Sequence, residues 1–248
     1  NDRFNTSLVQ IGYGEKGAAG NPSFYGVEKG RNIFRQYLSA SLRGYTLMPT
    51  PNSAVYPKWG ACLEIGASSN LGLEKYISPT GYIYGYGYLP GFVSGQGVKI
   101  TAIYQQKLSE KSFFGQAAIN ILPRGLQENA QLLSWISTRT PSIVKLSADY
   151  AIPVFIGDLV LGINVLAVKR LVVTPNFGCT FNKKRALWSA GLDLAFDLES
   201  ILTIEFPISL GVSYSYNGGF NGSFNAFRNE SGTEMKRHFL GPIFNVVF

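Results

Sequence analysis

The stretch Ile201–Asn217 reads ILTIEFPISLGVSYSYN and alternates between two kinds of side chain. Every second position from Ile204 to Tyr216 is apolar or aromatic, and the positions between are mostly Ser, Gly or another small or polar residue. A period of two residues indicates a β-strand with one apolar face. The alternation holds for about fourteen residues, whereas strands of soluble β-proteins commonly have about five or six.

The same alternation recurs along the whole chain. A long strand whose apolar face carries aromatics near its ends, and whose polar face carries little charge, is typical of membrane β-barrels. We therefore predict an all-β fold, a transmembrane antiparallel up-and-down β-barrel of ten strands with both termini periplasmic. Besides Ile201–Asn217, the predicted strands are Ile33–Thr46, Trp59–Leu71, Thr80–Leu89, Gly97–Lys107, Ser112–Ile121, Ile143–Phe155, Lys169–Phe181, Ala186–Leu198 and Lys236–Phe248.

The strand count depends on the segment Ile156–Val168, which we interpret as an apolar connection on the periplasmic side. If this segment is a strand and pairs with another at Ser7–Gly12, the barrel has twelve strands. Residues 1–30 are rich in Gly and are predicted to be a periplasmic lead or linker, which leaves residues 31–248 for the barrel. The loops after Thr46 and Leu89 are predicted to be external, like the longer loops 122–141 and 218–234.

Composition excludes several classes of protein. Aromatic residues make up 14% of the chain, which is incompatible with intrinsic disorder, and two Cys exclude a disulfide scaffold. The net charge is +7, but charged residues make up only 15% of the chain, so a nucleic-acid partner is not expected.

The alternation predicts which charged side chains point into the barrel. Five are basic and five acidic, so we expect a lumen filled by ion pairs, with a narrow channel as the alternative. The predicted network comprises Arg35, Arg43, Lys99, Lys145, Arg170, Glu64, Asp149, Asp193, Asp197 and Glu205.

The predicted external rim carries most of the positive charge. Phosphate-bearing lipid headgroups bind Lys and Arg, so we predict lipopolysaccharide contact through Lys183, Lys184, Arg185, Lys236 and Arg237. Ordinary solvated loop charge is the alternative. Nine bases against three acids give the rim +6: Lys58, Arg124, Arg139, Lys183, Lys184, Arg185, Arg228, Lys236 and Arg237 against Glu128, Glu230 and Glu234.

A Tyr stripe at positions 82, 84, 86 and 88 alternates with Gly85 and Gly87. Glycine on the lipid face allows another surface to approach closely, which suggests a partner docking site at these two glycines. The alternative is that the tyrosines fill the lumen and the glycines relieve crowding.

The residues argue against an enzyme. The only histidine, His238, is predicted to face outward, while Ser209, Ser213 and Ser215 face inward, so no Ser–His pair forms. Asp193 and Asp197 are better explained by lumen ion pairs than by a paired-Asp protease site. No metal or cofactor site is expected, because one His and the distant Cys62 and Cys179 cannot form one.

Two segments resemble known proteins. Leu146–Gly178, LSADYAIPVFIGDLVLGINVLAVKRLVVTPNFG, is similar to a pattern in outer-membrane barrels of the Bacteroidota, including propeller-linked and surface-antigen-type barrels. The final residues, HFLGPIFNVVF, resemble the last strand of bacterial outer-membrane proteins. The resemblance implies a non-enzymatic component or anchor of an outer-membrane assembly, in export or envelope biogenesis, with envelope proteins as partners. A narrow, porin-like transport channel is the alternative.

Overall fold

A computed structural model describes residues 3–5, 10–14, 35–50, 54–71, 79–109, 121–126, 140–161, 166–182, 186–201, 204–220 and 236–246. The strands are β1 Arg3–Asn5, β2 Gln10–Gly14, β3 Arg35–Leu47, β4 Gly60–Leu71, β5 Thr80–Pro90, β6 Gly97–Lys107, β7 Ser142–Leu161, β8 Leu166–Phe181, β9 Ala186–Ile201, β10 Ile204–Phe220 and β11 His238–Val246. None of the described residues belongs to a helix long and apolar enough to cross a membrane.

The strands form one all-antiparallel sheet in which β3 to β11 pair in chain order. This order confirms the predicted all-β fold with antiparallel up-and-down strands. On its first edge β3 also pairs with β1 and β2, both of which lie within the predicted lead of residues 1–30. Among the described residues no ladder joins β11 to β1 or β2, so the described sheet is open.

Nine of the ten predicted strands are present among the described residues, but the predicted place of Ser112–Ile121, between β6 and β7 in the sheet, is wrong. β6 pairs directly with β7 from Gly97↔Ala151 to Gln106↔Ser142, which leaves no place for a strand between them. Residues 112–120 lie outside the described residues, and Ile121 begins a separate segment that includes a 3-10 turn at Arg124–Leu126.

The connection predicted at Ile156–Val168 is also wrong, because β7 continues to Leu161 and β8 starts at Leu166. Register shifts interrupt the pairing between Pro153 and Phe155 and between Ile156 and Leu159. Proline cannot donate a hydrogen bond to the neighbouring strand, and a bulge breaks the period of two. The alternation is therefore lost in this part of the sequence although the strand continues.

Because β6 connects directly to β7, the loops that precede β7 lie at the opposite end of the sheet from the one predicted. The strand ends joined by residues 48–59, 91–96, 162–165 and 202–203 lie together at one end, the short-connection end. The strand ends joined by residues 72–79, 108–141, 182–185 and 221–237 lie at the other, the long-connection end. The loops after Thr46 and Leu89, and with them Lys58, are therefore at the opposite end from Lys236 and Arg237.

The two faces of the sheet are reversed relative to a water-soluble protein. On one face, the outer face, large apolar side chains are exposed, including Leu42 at 58%, Leu240 at 71% and Phe244 at 69%. On the other, the inner face, polar side chains such as Ser189, Ser215 and Asn217 are completely buried. Arg43 and Asp149 line one cavity although their strands are four apart in the sheet, so the sheet curls around its inner face.

Candidate functional site

The residues Ile121–Leu126, the inner segment, pack on the inner face. Ile121 and Leu122 are fully buried, and Pro123 reaches the Gly178 backbone region of β8. Thr180 donates a hydrogen bond to the Ile121 carbonyl at 2.5 Å, and Asn217 donates one to the Gly125 carbonyl at 3.1 Å. The segment thus fills part of the interior against β8, β9 and β10.

The inner segment packs against small inner-face residues of β8 to β10. A methyl group on Gly125 would come within 2.8 Å of the Ser215 Cβ, tighter than real Cβ contacts allow. Gly178 also lies next to the segment, since a methyl group there would be 3.9 Å from the Pro123 Cα. The Ser and Gly pattern that indicated a polar face in the sequence therefore also makes room for a loop.

Arg124 connects the inner segment to two strands. Its guanidinium lies 3.0 Å from the Asp149 carboxylate on β7 and also forms an ion pair with Asp193 on β9. Ser213 on β10 donates to the second Asp193 oxygen at 2.5 Å. The expectation that Arg124 lies on the external rim is wrong, because the inner segment carries it inside, and the two carboxylates neutralise its charge.

Two further ion pairs lie on the inner face. The Arg43 guanidinium is 3.2 Å from the Glu64 carboxylate, which also accepts a hydrogen bond from Tyr82 at 2.7 Å. Arg170 pairs with Asp197, to which Ser209 donates at 2.6 Å. Each of these ion pairs joins two neighbouring strands, β3 with β4 and β8 with β9.

The connection between β3 and β4 also packs on the interior. Arg170 donates to the Ala54 carbonyl at 2.7 Å, although the two residues are far apart in sequence. The Tyr56 ring lies 5.4 Å from the Tyr88 ring, and burial raises the pKa of the Tyr56 phenol. Tyr56 therefore stays protonated and able to donate a hydrogen bond.

The inner segment leaves a cavity of about 510 Å³ beside it, the interior cavity. Lys99 holds its ammonium over the Tyr86 and Tyr88 rings at 5.3 and 5.8 Å from their centroids. Lys145 is 7% exposed on the wall of the cavity. The residues lining it are Arg43, Glu64, Tyr82, Tyr84, Lys99, Thr101, Ile103, Arg124, Lys145, Ser147 and Asp149.

The structure brings together eight of the ten predicted lumen charges on the inner face. The side chains of the other two, Arg35 and Glu205, lie outside the described residues, as do Lys183, Lys184 and Arg185. Sequence reasoning missed the interior position of Arg124. The available signal was the apolar run Ile121-Leu122-Pro123 and Leu126 around it, which is unusual for a solvated loop.

The remaining described positions lie at the long-connection end or on the outer face. Lys236 and Arg237 are exposed at the long-connection end, and Arg237 donates to the Tyr216 hydroxyl at 3.1 Å. The Tyr82 to Tyr88 stripe points inward, which leaves Gly85 and Gly87 on the outer face beside exposed Ile83. Docking at these glycines stays a prediction.

The geometry gives no support to nucleophilic or metal chemistry in the described part of the chain. His238 is exposed and hydrogen-bonded through Nδ1 to the Tyr214 hydroxyl at 2.8 Å, on the face opposite to Ser213 and Asp193. No three His, Cys, Asp or Glu side chains among the described residues lie close enough together to hold a metal ion.

No family model, curated protein or solved structure matches the sequence.

Proposed function

We propose that the protein is an outer-membrane β-barrel that crosses the bilayer with its apolar outer face against lipid. The observation that carries this proposal is the reversed burial within single strands. On β9, exposed Leu192, Leu194 and Phe196 flank Asp193, which is 8% exposed. Soluble proteins bury such a row of apolar side chains, because exposing it to water is unfavourable.

Strand length supports the same proposal. A transmembrane strand needs about 9–11 residues to cross the hydrocarbon region. β7 has 20 residues, β8 and β9 have 16 each and β10 has 17, so all four are long enough and extend beyond this region. The longest connections, 108–141 and 221–237, leave the same end, as external loops of such barrels do.

The contents of the interior favour a non-enzymatic component or anchor of an envelope assembly. The inner segment, the β3–β4 connection and three sets of ion pairs occupy the inner face. An open transport pore needs a continuous polar passage, and groups packed on the inner face reduce the space for one. The interior cavity is the one observation that favours the second candidate, a narrow channel.

The membrane location is tested by charge placement. Replacing Leu194, 40% exposed near the middle of β9, by Arg should destabilise the protein in lipid vesicles by about 2–4 kcal/mol, the cost of Arg on the lipid face. Val93→Arg, at a 62% exposed position in the β5–β6 turn, is the matched control and should have little effect. An equally small effect of Leu194→Arg would overturn the proposal, since water-exposed positions tolerate Arg.

Single-channel recordings separate the two roles. We expect the wild-type protein in planar bilayers to conduct negligibly, and steady conductance above that of protein-free bilayers would favour the channel. For the anchor, purification from native membranes should recover the same envelope proteins in fixed proportion, and recovery of the barrel alone would argue against it.

Lipopolysaccharide contact is proposed for the basic residues at the long-connection end. Lys236 and Arg237 are exposed there, and Lys183, Lys184 and Arg185 lie in the connection between β8 and β9. Neutralising all five to Gln should lower the lipopolysaccharide that co-purifies, whereas Lys58→Gln at the other end should not. An unchanged amount of co-purifying lipopolysaccharide in the five-residue variant would contradict this contact.

A further inference from the structure

The two edges of the described sheet carry backbone groups that need partners. Among the described residues, β11 pairs with β10 alone, and β1 and β2 pair with β3 alone. Lipid offers no hydrogen bonds to an unpaired strand edge, so such an edge is unfavourable inside a bilayer. If the outer face lies in lipid, each of these edges needs another strand beside it.

The short strands β1 and β2 lie in line along the same edge of β3. β1 pairs with Arg43–Tyr45 and β2 pairs with Arg35–Ser39, both antiparallel. Four residues, 6–9, separate the two ladders on this side, and three residues, 40–42, separate them on β3. A difference of one residue is what a single β-bulge introduces into an antiparallel pair. β1 and β2 together therefore take the place of one strand, the closing strand, Arg3–Asn5 and Gln10–Gly14.

The sequence of the closing strand agrees with this register. Phe4 pairs with Gly44, two positions from outer-face Leu42, and Ile11 pairs with outer-face Leu38. Alternate positions of a strand share a face, and so do partners in an antiparallel ladder. Because 4 is an even position and 11 an odd one, the one-residue difference gives both apolar residues a register position of the outer face.

Strand direction distinguishes the two ways in which the sheet could close. β3 and β11 both run from the long-connection end to the short-connection end, so direct pairing between them would be parallel. The closing strand runs the other way, from Arg3 beside Tyr45 to Gly14 beside Arg35, and is antiparallel to β11. With it the sheet has ten strands, and an even number is what an all-antiparallel barrel requires.

The curl of the sheet carries its two edges towards one another. Arg170 on β8 donates a hydrogen bond at 2.7 Å to the Ala54 carbonyl, in the connection between β3 and β4. We propose that the closing strand pairs with β11 and completes a ten-stranded barrel from residues of the same chain. This inference rests on the proposed membrane barrel, and it places in the barrel wall part of the stretch that the sequence alone indicated as a lead or linker.

Disulfide scanning of the full chain in lipid vesicles tests this pairing, in a background with Cys62 and Cys179 replaced by Ser. Each of Phe4→Cys, Ile11→Cys and Tyr13→Cys is combined with each of His238→Cys, Leu240→Cys, Pro242→Cys and Phe244→Cys. Opposite residues of an antiparallel pair have Cα atoms about 4.5–5.5 Å apart, a distance that a disulfide spans. We expect at least one combination to form a disulfide within one chain, identified by mass spectrometry of the digested monomer.

Matched pairs of cysteines calibrate the scan. Val212→Cys with Pro242→Cys joins known partners of β10 and β11 and should give a high yield. Ile83→Cys with Leu240→Cys joins two exposed positions on distant strands, β5 and β11, and should give none. Leu38→Cys with Leu240→Cys tests direct pairing of β3 with β11 and should also give none.

Three results would overturn the inference. They are disulfides that join two copies of the chain, a disulfide between positions 38 and 240, or none from the closing strand although the Val212–Pro242 control forms. The comparison of Leu194→Arg with Val93→Arg still reports the membrane location in each case. Loss of the closing strand and loss of the membrane proposal are therefore distinguishable.

Discussion

The Arg124 side chain connects the inner segment to two strands of the sheet. It is the counter-charge of both Asp149 and Asp193, which are 8% exposed each, and it fixes the inner segment to β7 and β9. Removing it leaves two buried carboxylates without their cation, and such a loss costs about 3–5 kcal/mol for a fully buried pair. The Arg124 side chain is 37% exposed, so solvent reduces the penalty.

We therefore expect Arg124→Gln to lower the free energy of unfolding by about 2 kcal/mol, measured by denaturant titration in detergent micelles. Lys58→Gln, which removes an exposed charge from the β3–β4 connection, should change it by less than about 0.5 kcal/mol. The double variant Arg124→Gln, Asp193→Asn should recover part of the loss, because the Asp193 carboxylate is then no longer left without its cation. Equal effects of Arg124→Gln and Lys58→Gln would contradict the interior ion pairs.

Gly125 lies in a space too small for a larger side chain. A Cβ there would overlap the Asn217 amide oxygen and approach the Ser215 Cβ to 2.8 Å, so Gly125→Ala should destabilise by about 1–3 kcal/mol through overpacking. Gly87→Ala is the matched control, since its Cβ would lie 3.6 Å from the Gly60 carbonyl in ordinary contact. Thermal unfolding of the two variants should therefore differ, and identical midpoints would place the inner segment elsewhere.

Among the elements, the inner segment is held on the sheet by contacts to four strands. Thr180 on β8 and Asn217 on β10 donate hydrogen bonds to its carbonyl groups, and Arg124 forms ion pairs with Asp149 on β7 and Asp193 on β9. The segment therefore occupies interior space that water would otherwise fill.

We expect replacement of Ile121–Leu126 by Gly and Ser to give single-channel conductance that the wild type lacks. The physical reason is that the apolar residues and Arg124 leave the interior, and water fills the space. Replacing Phe92 and Val93, which are exposed in the described β5–β6 turn, by Gly and Ser is the control and should conduct like the wild type. Unchanged conductance in the first variant would show that the segment does not obstruct the interior.

Sequence alternation predicted most elements because each long strand has one lipid-compatible and one polar face. Gly97–Lys107 was predicted with its observed bounds, and the neighbouring strands with shifts of a few residues. The pattern failed at Ile156–Val168, where register shifts break the period of two, and at Ser112–Ile121. Ile121 is apolar because it packs in the interior, and periodicity cannot distinguish that environment from lipid.

The candidate site was predictable only as far as side-chain direction follows the alternation. The inward-facing charges, Arg43 with Glu64 and Arg170 with Asp197, lie on paired strands and meet because their registers align. The apolar residues around Arg124 indicated an interior position, but its two ion pairs were not predictable, because a loop has no period that places its side chains. The interior cavity depends on where that loop folds, so it too required the structure.

We propose that the whole molecule crosses a bilayer as a sheet with an apolar outer face and a polar inner face. Its most direct measurement is spin-label scanning over residues 192–197 and 210–215 in lipid vesicles, in a background with Cys62 and Cys179 replaced by Ser. Labels at Leu192, Leu194, Leu210 and Val212 should be reached by lipid-soluble oxygen, whereas labels at Asp193 and Ser213 should not. If the rate of collision between label and oxygen did not alternate with a period of two, or if oxygen reached the polar positions preferentially, the sheet would not cross the bilayer in this way.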